Sequence, residues 1–327
     1  MDIVYCAPVL TFDDGVHLFG TELFLDPRRK RARAIVSHAH SDHVGRHRRW
    51  VTSPGTAALC ARRWGARDLE VHDFLAPWRD ADTWVTLLPA GHILGSSMVL
   101  LEHQSTRILY TGDFRLKASA TAESCEPVQA DILVMECTYG VPRYRFPDRE
   151  AVLDELLDFI ESTLAQDAVP VLLAHSLGKA QEVARRIGDR GYSVALHPSA
   201  FEMLEVYREQ GVRFTACRPY DLGPSRPAVV IVPPHLALSP LVRRFRRRRV
   251  AFLSGWALGP QRRWAPHCDA VFPLSDHADF DELVEMVARV RPRRVYTLHG
   301  PAAFAAELRA RGIDAETASE ALQMRLF

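Results

Sequence analysis

The chain has 327 residues, 47% of them hydrophobic and 25% charged, with a formal net charge of +1. That is enough length for one large or two moderate cores, and the composition excludes a disordered or fibrous chain. No apolar run approaches the ~20 residues of a membrane span, and the start lacks the basic stretch of a signal peptide, so a cytoplasmic protein without membrane association is expected.

The first third reads as short strands at residues 4–10, 15–19, 22–25 and 34–36. Asp26 closes the third, just before Pro27; it is either a simple turn aspartate or an acceptor that holds the next loop in shape. The fourth strand runs into Ser37-His38-Ala39-His40-Ser41-Asp42-His43, which sets four metal-ligand types within six positions. The two-residue period of a strand puts His38 and His40 on one side, and the turn can fold Asp42 and His43 toward a second position. Imidazole and carboxylate in this mix suit Zn, Mn or Fe.

A helix near 56–64 and strands at 69–74 and 84–88 follow. The loop Gly91-His92-Ile93-Leu94-Gly95-Ser96 then offers His92 among small residues that permit close approach. A strand at 108–111 delivers Gly112-Asp113, a carboxylate placed to bridge two cations. Another apolar strand, 132–135, ends in Glu136, which must be paired or functional because burying it alone is costly.

The pattern changes near 142–147. A helix at 149–165 carries Val152, Leu153, Leu156, Leu157 and Ile160 on one face. Strand and helix then alternate (170–174, 179–187, 193–196, 201–208, 228–232, 250–253), which implies parallel strands with crossover helices. The turn His175-Ser176-Leu177-Gly178-Lys179 precedes a helix, whose N-terminal amides suit phosphate; Lys179 stands there although a cation is disfavoured at that end. The basic run 243–249 is either a solvated helix face or, if it faces the cleft, a track for a strand's phosphates. After it, Ser254-Gly255 could admit a phosphate, while Trp256 either stacks a base or fills core.

A strand at 271–274 leads to Ser275-Asp276-His277-Ala278-Asp279, where Asp279 and Glu282 form a capping box. The strand 294–298 ends at His299-Gly300-Pro301. The six cysteines form no Cys-x-x-Cys pair, so neither a disulfide framework nor a zinc ribbon is expected. Except for Lys30, Lys117 and Lys179, the 41 basic residues are arginine, a skew that either a phosphate-binding surface or an arginine-biased genome would produce.

His-x-His-x-Asp-His after a buried strand, with the motifs at His92, Asp113, Glu136, His277 and His299, resembles the metallo-β-lactamase superfamily and, within it, the β-CASP nucleic-acid-processing branch. The chain is most similar to bacterial ligase-associated DNA-repair exonucleases. The resemblance runs over nearly the full length. It implies an α/β fold, a metallo-β-lactamase αββα sandwich (residues 1–144 and 271–327) interrupted by an inserted β-CASP domain (145–270). It also implies two divalent ions, Zn or Mn. One would be held by His38, His40, His92 and Asp113, the other by Asp42, His43, Asp113 and His299. Asp26 would support the metal loop and take part with Asp42 in the catalytic set. His277 would act as general acid, positioned by Glu136. Ser176, Gly178, Lys179, Ser254 and Gly255 would bind substrate phosphate. The implied function is phosphodiester hydrolysis of DNA at a strand end in repair, beside a DNA ligase and a helicase; RNA processing would use the same residues.

Overall fold

Alternating apolar residues bury both faces of a central sheet, and that sets the architecture of the first lobe. In the computed structural model, which describes residues 9–220, 228–260 and 267–323, the described strands form three sheets. The first sheet joins Leu10–Thr11, Val16–Leu18, Phe24–Leu25, Arg33–Ile35, Arg49–Thr52 and Leu69–Val71 in sequence order. The second runs Ala315–Thr317, Arg294–Leu298, Ile132–Glu136, Thr106–Tyr110, Ser97–His103, Thr83–Pro89, Trp78–Asp80. Val99, Leu101, Ile108 and Tyr110 of this second sheet pack on Val16, Leu25, Ile35 and Val51 of the first. Their neighbours Leu100, Leu109, Leu133 and Met135 point the other way, onto Phe280, Leu283, Met286 and Phe304 of helices Phe280–Val290 and Ala302–Ala310. Helix Pro54–Trp64 covers the far side of the first sheet through Leu59 and Cys60. The layers are helix, sheet, sheet, helix, the αββα sandwich expected from the sequence.

The third sheet is parallel throughout, in the order Cys217–Pro219, Val194–Leu196, Val229–Val232, Val169–Leu173, Arg248–Leu253, Ala270–Phe272. Helices Arg149–Ala165, Lys179–Asp189 and Pro198–Glu209 cover one face of it. The first of these has the limits read from the sequence, with the Asp148 side chain accepting from the Ala151 amide as its cap.

Two expectations are corrected and one strand is added. Ala270–Phe272, read as the return to the first lobe, pairs with Arg248–Leu253 and is the edge strand of the inserted sheet. The boundary near residue 270 therefore moves to the loop after Phe272. Ser97–His103, for which the sequence suggested no element, is a seven-residue strand between Thr83–Pro89 and Thr106–Tyr110. The basic run is not a helix face. Arg243 ends the short helix Pro240–Arg243, while Arg248 and Arg249 open a strand. The expected strand at 4–10 lies largely outside the described residues. No described helix is long and apolar enough to cross a membrane.

Candidate metal centre and cleft

Chain direction brings the candidate ligands to one edge. Thr83–Pro89, Thr106–Tyr110, Ile132–Glu136 and Arg294–Leu298 run the same way through the second sheet, and Arg33–Ile35 of the first sheet ends beside them. The loops after these strands carry His92, Asp113, His299 and the His38–His43 turn, and Glu136 ends the strand Ile132–Glu136 at the same edge. The inserted sheet opposes its own carboxyl end to them, where loops of a parallel sheet bind ligands.

Asp113, 4% exposed, is the hub. Its Oδ2 lies 3.4 Å from His38 Nε2 and 3.8 Å from His92 Nε2, while Oδ1 lies 3.4 Å from His43 Nε2. His38, His40, His92 and Asp113 offer ligand atoms within 4.8 Å of one another, and so do His43, Asp113 and His299. Two donor sets thus share one carboxylate through different oxygens. Asp42 belongs to neither tight set. Its side chain is 60% exposed, and Oδ2 stands 4.0 Å from His43 Nε2.

Each buried imidazole has one nitrogen committed elsewhere. His43 Nδ1 donates to Asp26 Oδ2 at 2.8 Å, and His92 Nδ1 to the Asp276 carbonyl at 2.9 Å. His40 Nε2 lies 3.3 Å from the Leu177 carbonyl, in the insert. Asp26 also accepts from the Ser37 amide and hydroxyl and the Tyr110 hydroxyl, with its own backbone left-handed at φ 47°. It orients His43 and does not face the cleft, so it is a positioning residue and not a catalytic one. Such an oriented imidazole makes a better metal ligand.

Charge and burial agree. Burial holds His38 well below its ordinary value, with charged His43 adding to the effect, and holds His40 and His92 at about 4. All three are neutral at physiological pH, the form in which an imidazole can ligate a cation. For His43 burial acts downward, but the Asp113 and Asp26 carboxylates outweigh it and raise the ring well above the usual range. Asp113 is held well below the usual carboxylate range by His43 and His277, against burial. His38 Nε2 and His43 Nε2 are buried and have no hydrogen-bond partner. Two orphaned imidazole nitrogens aimed at opposite oxygens of one carboxylate are costly unless a cation lies between. The donor set fits divalent metal.

Beside it, Glu136 Oε1 accepts from His277 Nδ1 at 3.0 Å and from the Phe114 amide, while Oε2 takes the Thr138 hydroxyl. Burial lowers His277, but Glu136, Asp113 and Asp276 overcome this and raise it to about 10. The ring is cationic at neutral pH and opens on a cavity of about 550 Å³.

His40, Asp42, Asp113, Ser176, Lys179 and Ser254 also line that cavity. Lys179, buried, is 3.1 Å from Asp276 Oδ1, so its ammonium is shared with a carboxylate across the seam. Gly178 and Gly255 do not line it. A β-carbon at Gly178, where φ is 89°, would meet Ile93 at 2.5 Å, and one at Gly255 would meet Tyr139 at 2.6 Å. Both glycines serve close packing. Trp256 lines the cavity, its ring 4.8 Å from Tyr139. The basic run stands at the amino end of Arg248–Leu253, the end away from Ser254, so it does not face the cleft.

Sequence reasoning missed what joins the lobes. Arg115, 2% exposed, reaches both oxygens of Glu182 and the Ser275 carbonyl, and Arg149 binds the same carboxylate and the same carbonyl. Burial raises the Glu182 carboxyl, yet Arg149 and Arg115 hold it below its usual value. One signal was available. Arg149 opens a helix, where a cation is disfavoured unless something engages it.

Residues 270–320 match the domain family described as the Zn-dependent metallo-hydrolase RNA specificity domain, the stretch that carries His277 and His299. The chain belongs to the β-CASP branch of the metallo-β-lactamase superfamily. A "Probable DNA ligase" of Opitutus terrae is 42% identical over 322 residues, which cover 96% of this chain and 31% of that protein. The "5' exonuclease Apollo" of Rattus norvegicus is 28% identical, over 80% of this chain and 49% of its own length. The "RNase J-like protein" of Methanocaldococcus jannaschii is 34% identical over 29% of this chain and 23% of its own. The chain therefore spans less than half of each of these three relatives. A solved structure of a protein of unknown function from Enterococcus faecalis V583 superposes with a TM-score of 0.56 at 17% identity, over 82% of this chain and 75% of that one, and so shares the fold.

Proposed function

We propose that the cleft hydrolyses phosphodiester bonds of DNA, from a strand end, with two divalent ions. The observation that carries this reading is Asp113 between two sets of imidazoles, beside a histidine kept cationic by Glu136. His38, His40, His92 and Asp113 would hold one ion; His43, Asp113 and His299, with Asp42 at the cavity side, the other. Bound there, Zn or Mn would supply an activated water and stabilise negative charge on the phosphate oxygens.

The chain's own residues do the rest. With Nδ1 given to Glu136, His277 has Nε2 left to protonate the leaving oxygen, which an alkoxide requires at neutral pH. Glu136 keeps that proton in place through charge. Lys179, sharing Asp276, retains donors for a substrate phosphate, and the Ser176 and Ser254 hydroxyls stand along the same wall. The DNA preference and a role beside a ligase draw support from the Opitutus relative and from the rat exonuclease. The RNA specificity domain and the RNase J-like relative favour a second reading, RNA hydrolysis by the same atoms.

End-labelled single- and double-stranded DNA and RNA, each offered with Zn and with Mn, test both readings. Asp113→Ala and His40→Ala should each abolish cleavage while the protein stays folded. Full activity in either variant would refute the two-ion assignment, and faster cleavage of RNA than of matched DNA would replace the first reading with the second.

A further inference from the structure

A second cavity, of about 680 Å³, opens on the other side of the metal loop and has no part in the chemistry described above. Its walls include Arg46, Arg48 and Arg67, all exposed, with Trp50 and Trp64. No ion pair engages those three arginines among the described residues. Asp68, the acidic residue of the lining, is taken by Arg49 at 2.8 Å. Uncompensated positive charge therefore stands along a concave wall, and guanidinium groups bind phosphate in a fixed fork. Trp64 is 39% exposed, so part of its ring is open to solvent in this groove.

The two cavities adjoin. Ser41 and Asp42 line the catalytic one, and Val44 and Gly45, of the same turn, line the second. Arg63 marks the ridge between them. It lines the catalytic cavity, donates to the Ala39 carbonyl at 2.7 Å, and lays its guanidinium 4.5 Å above the Trp64 ring. A polyanion leaving the metal centre past Asp42 and Arg63 would next meet the Trp64 ring and the three arginines.

We propose that this groove is an extended binding site for single-stranded nucleic acid, holding the strand on the far side of the scissile bond. Arg46, Arg48 and Arg67 neutralise successive phosphates, and an unstacked base lies on Trp64. A duplex fits less well, because its base faces are covered by their neighbours. The proposal rests on the nuclease reading only for which strand arrives there.

The test measures affinity of the metal-loaded protein for phosphorothioate-linked, non-hydrolysable DNA, single- and double-stranded, over a range of salt. The arginines are exposed, so the triple variant Arg46→Ala, Arg48→Ala, Arg67→Ala should fold, which thermal melting checks. For three phosphates its plot of log affinity against log salt should be shallower by about 2 for the single strand. Trp64→Ala should weaken single-strand binding about 5- to 150-fold, as loss of one stacked base does, and Trp64→Phe should restore most of it. Unchanged affinity and salt slope in the triple variant would overturn the proposal, as would losses at least as large for duplex as for single strand. A wild-type protein that binds the strand but cleaves no nucleic acid would keep the groove and remove the nuclease reading. Normal cleavage with an inert groove would do the reverse.

Discussion

Asp26→Asn separates orientation of a ligand from supply of one. The carboxylate accepts four buried hydrogen bonds: from the Ser37 amide at 2.7 Å, the Ser37 hydroxyl, His43 Nδ1 at 2.8 Å and the Tyr110 hydroxyl at 2.8 Å. Asparagine is nearly the same size and tolerates the left-handed backbone at φ 47°, so the loop keeps its course. Its amide oxygen accepts about two bonds, and its NH2 accepts none. The Ser37 and Tyr110 hydroxyls can rotate to accept from the amide. The imidazole, neutral when it ligates an ion, can follow only by changing tautomer, which moves its proton to Nε2, the nitrogen that faces Asp113. The variant should therefore lose about 10- to 100-fold in affinity for the ion at the His43 side, about 1.4–2.8 kcal/mol, and less at the His38 side, which Asp26 reaches only through the Ser37 hydroxyl, 3.0 Å from His38 Nδ1. Metal-free stability should fall by about 1–3 kcal/mol, the cost of a buried donor left unmade. Chelator competition that resolves the two equivalents measures the first quantity, and urea unfolding the second. Two equivalents bound as tightly as in the wild type would refute the claim that Asp26 sets His43.

Two further outcomes follow from buried charge. Glu182→Ala strands the guanidiniums of Arg115 and Arg149 without their shared carboxylate, and should cost about 3–5 kcal/mol in urea unfolding. Glu285→Ala, which breaks the half-exposed pair with Arg289, should cost about 0.5 kcal/mol or less; equal effects would mean that the network does not join the lobes. In the metal-free protein His277 is raised from 6.5 to about 10, so the stability it contributes is full below pH 6.5 and is lost as pH climbs through about 10. Urea midpoints should fall across that window and do so much less in Glu136→Gln; an unaltered slope in the variant would show that Glu136 does not hold the charge.

What the sequence disclosed followed from strands. The apolar runs that lead to His38, Asp113, Glu136 and His299 place these residues at the shared edge where strand direction puts them. Asp42 is the looser member, because the exposed crest of a turn is fixed by nothing in the run before it. Short strands such as Phe24–Leu25 and Ala270–Phe272 have too few residues for a period, and which sheet they join depends on partners distant in the chain. The Lys179 signal was sound, since a cation at a helix start needs a partner, but Asp276 is 97 positions away and periodicity cannot find it. Glycine misled for the opposite reason: Gly178 and Gly255 fit a phosphate loop by type, yet their space is filled by Ile93 and by Tyr139.

The insert belongs to the metal centre as much as the sandwich does. The Leu177 carbonyl that fixes His40 comes from the turn before helix Lys179–Asp189. The segment Ser275–Asp276, just after the insert's edge strand, is held by Arg115 from one lobe and by Lys179 and Arg149 from the other. The Asp276 carbonyl in turn fixes His92. Two imidazoles of the same donor set therefore take their orientation from groups that the insert supplies or secures. The sandwich excised at the expected boundaries would keep His38, His43 and Asp113 in register but lose the carbonyl that aims His40. It should bind the ion at the His43 side in preference to the other, the reverse of what Asp26→Asn would do.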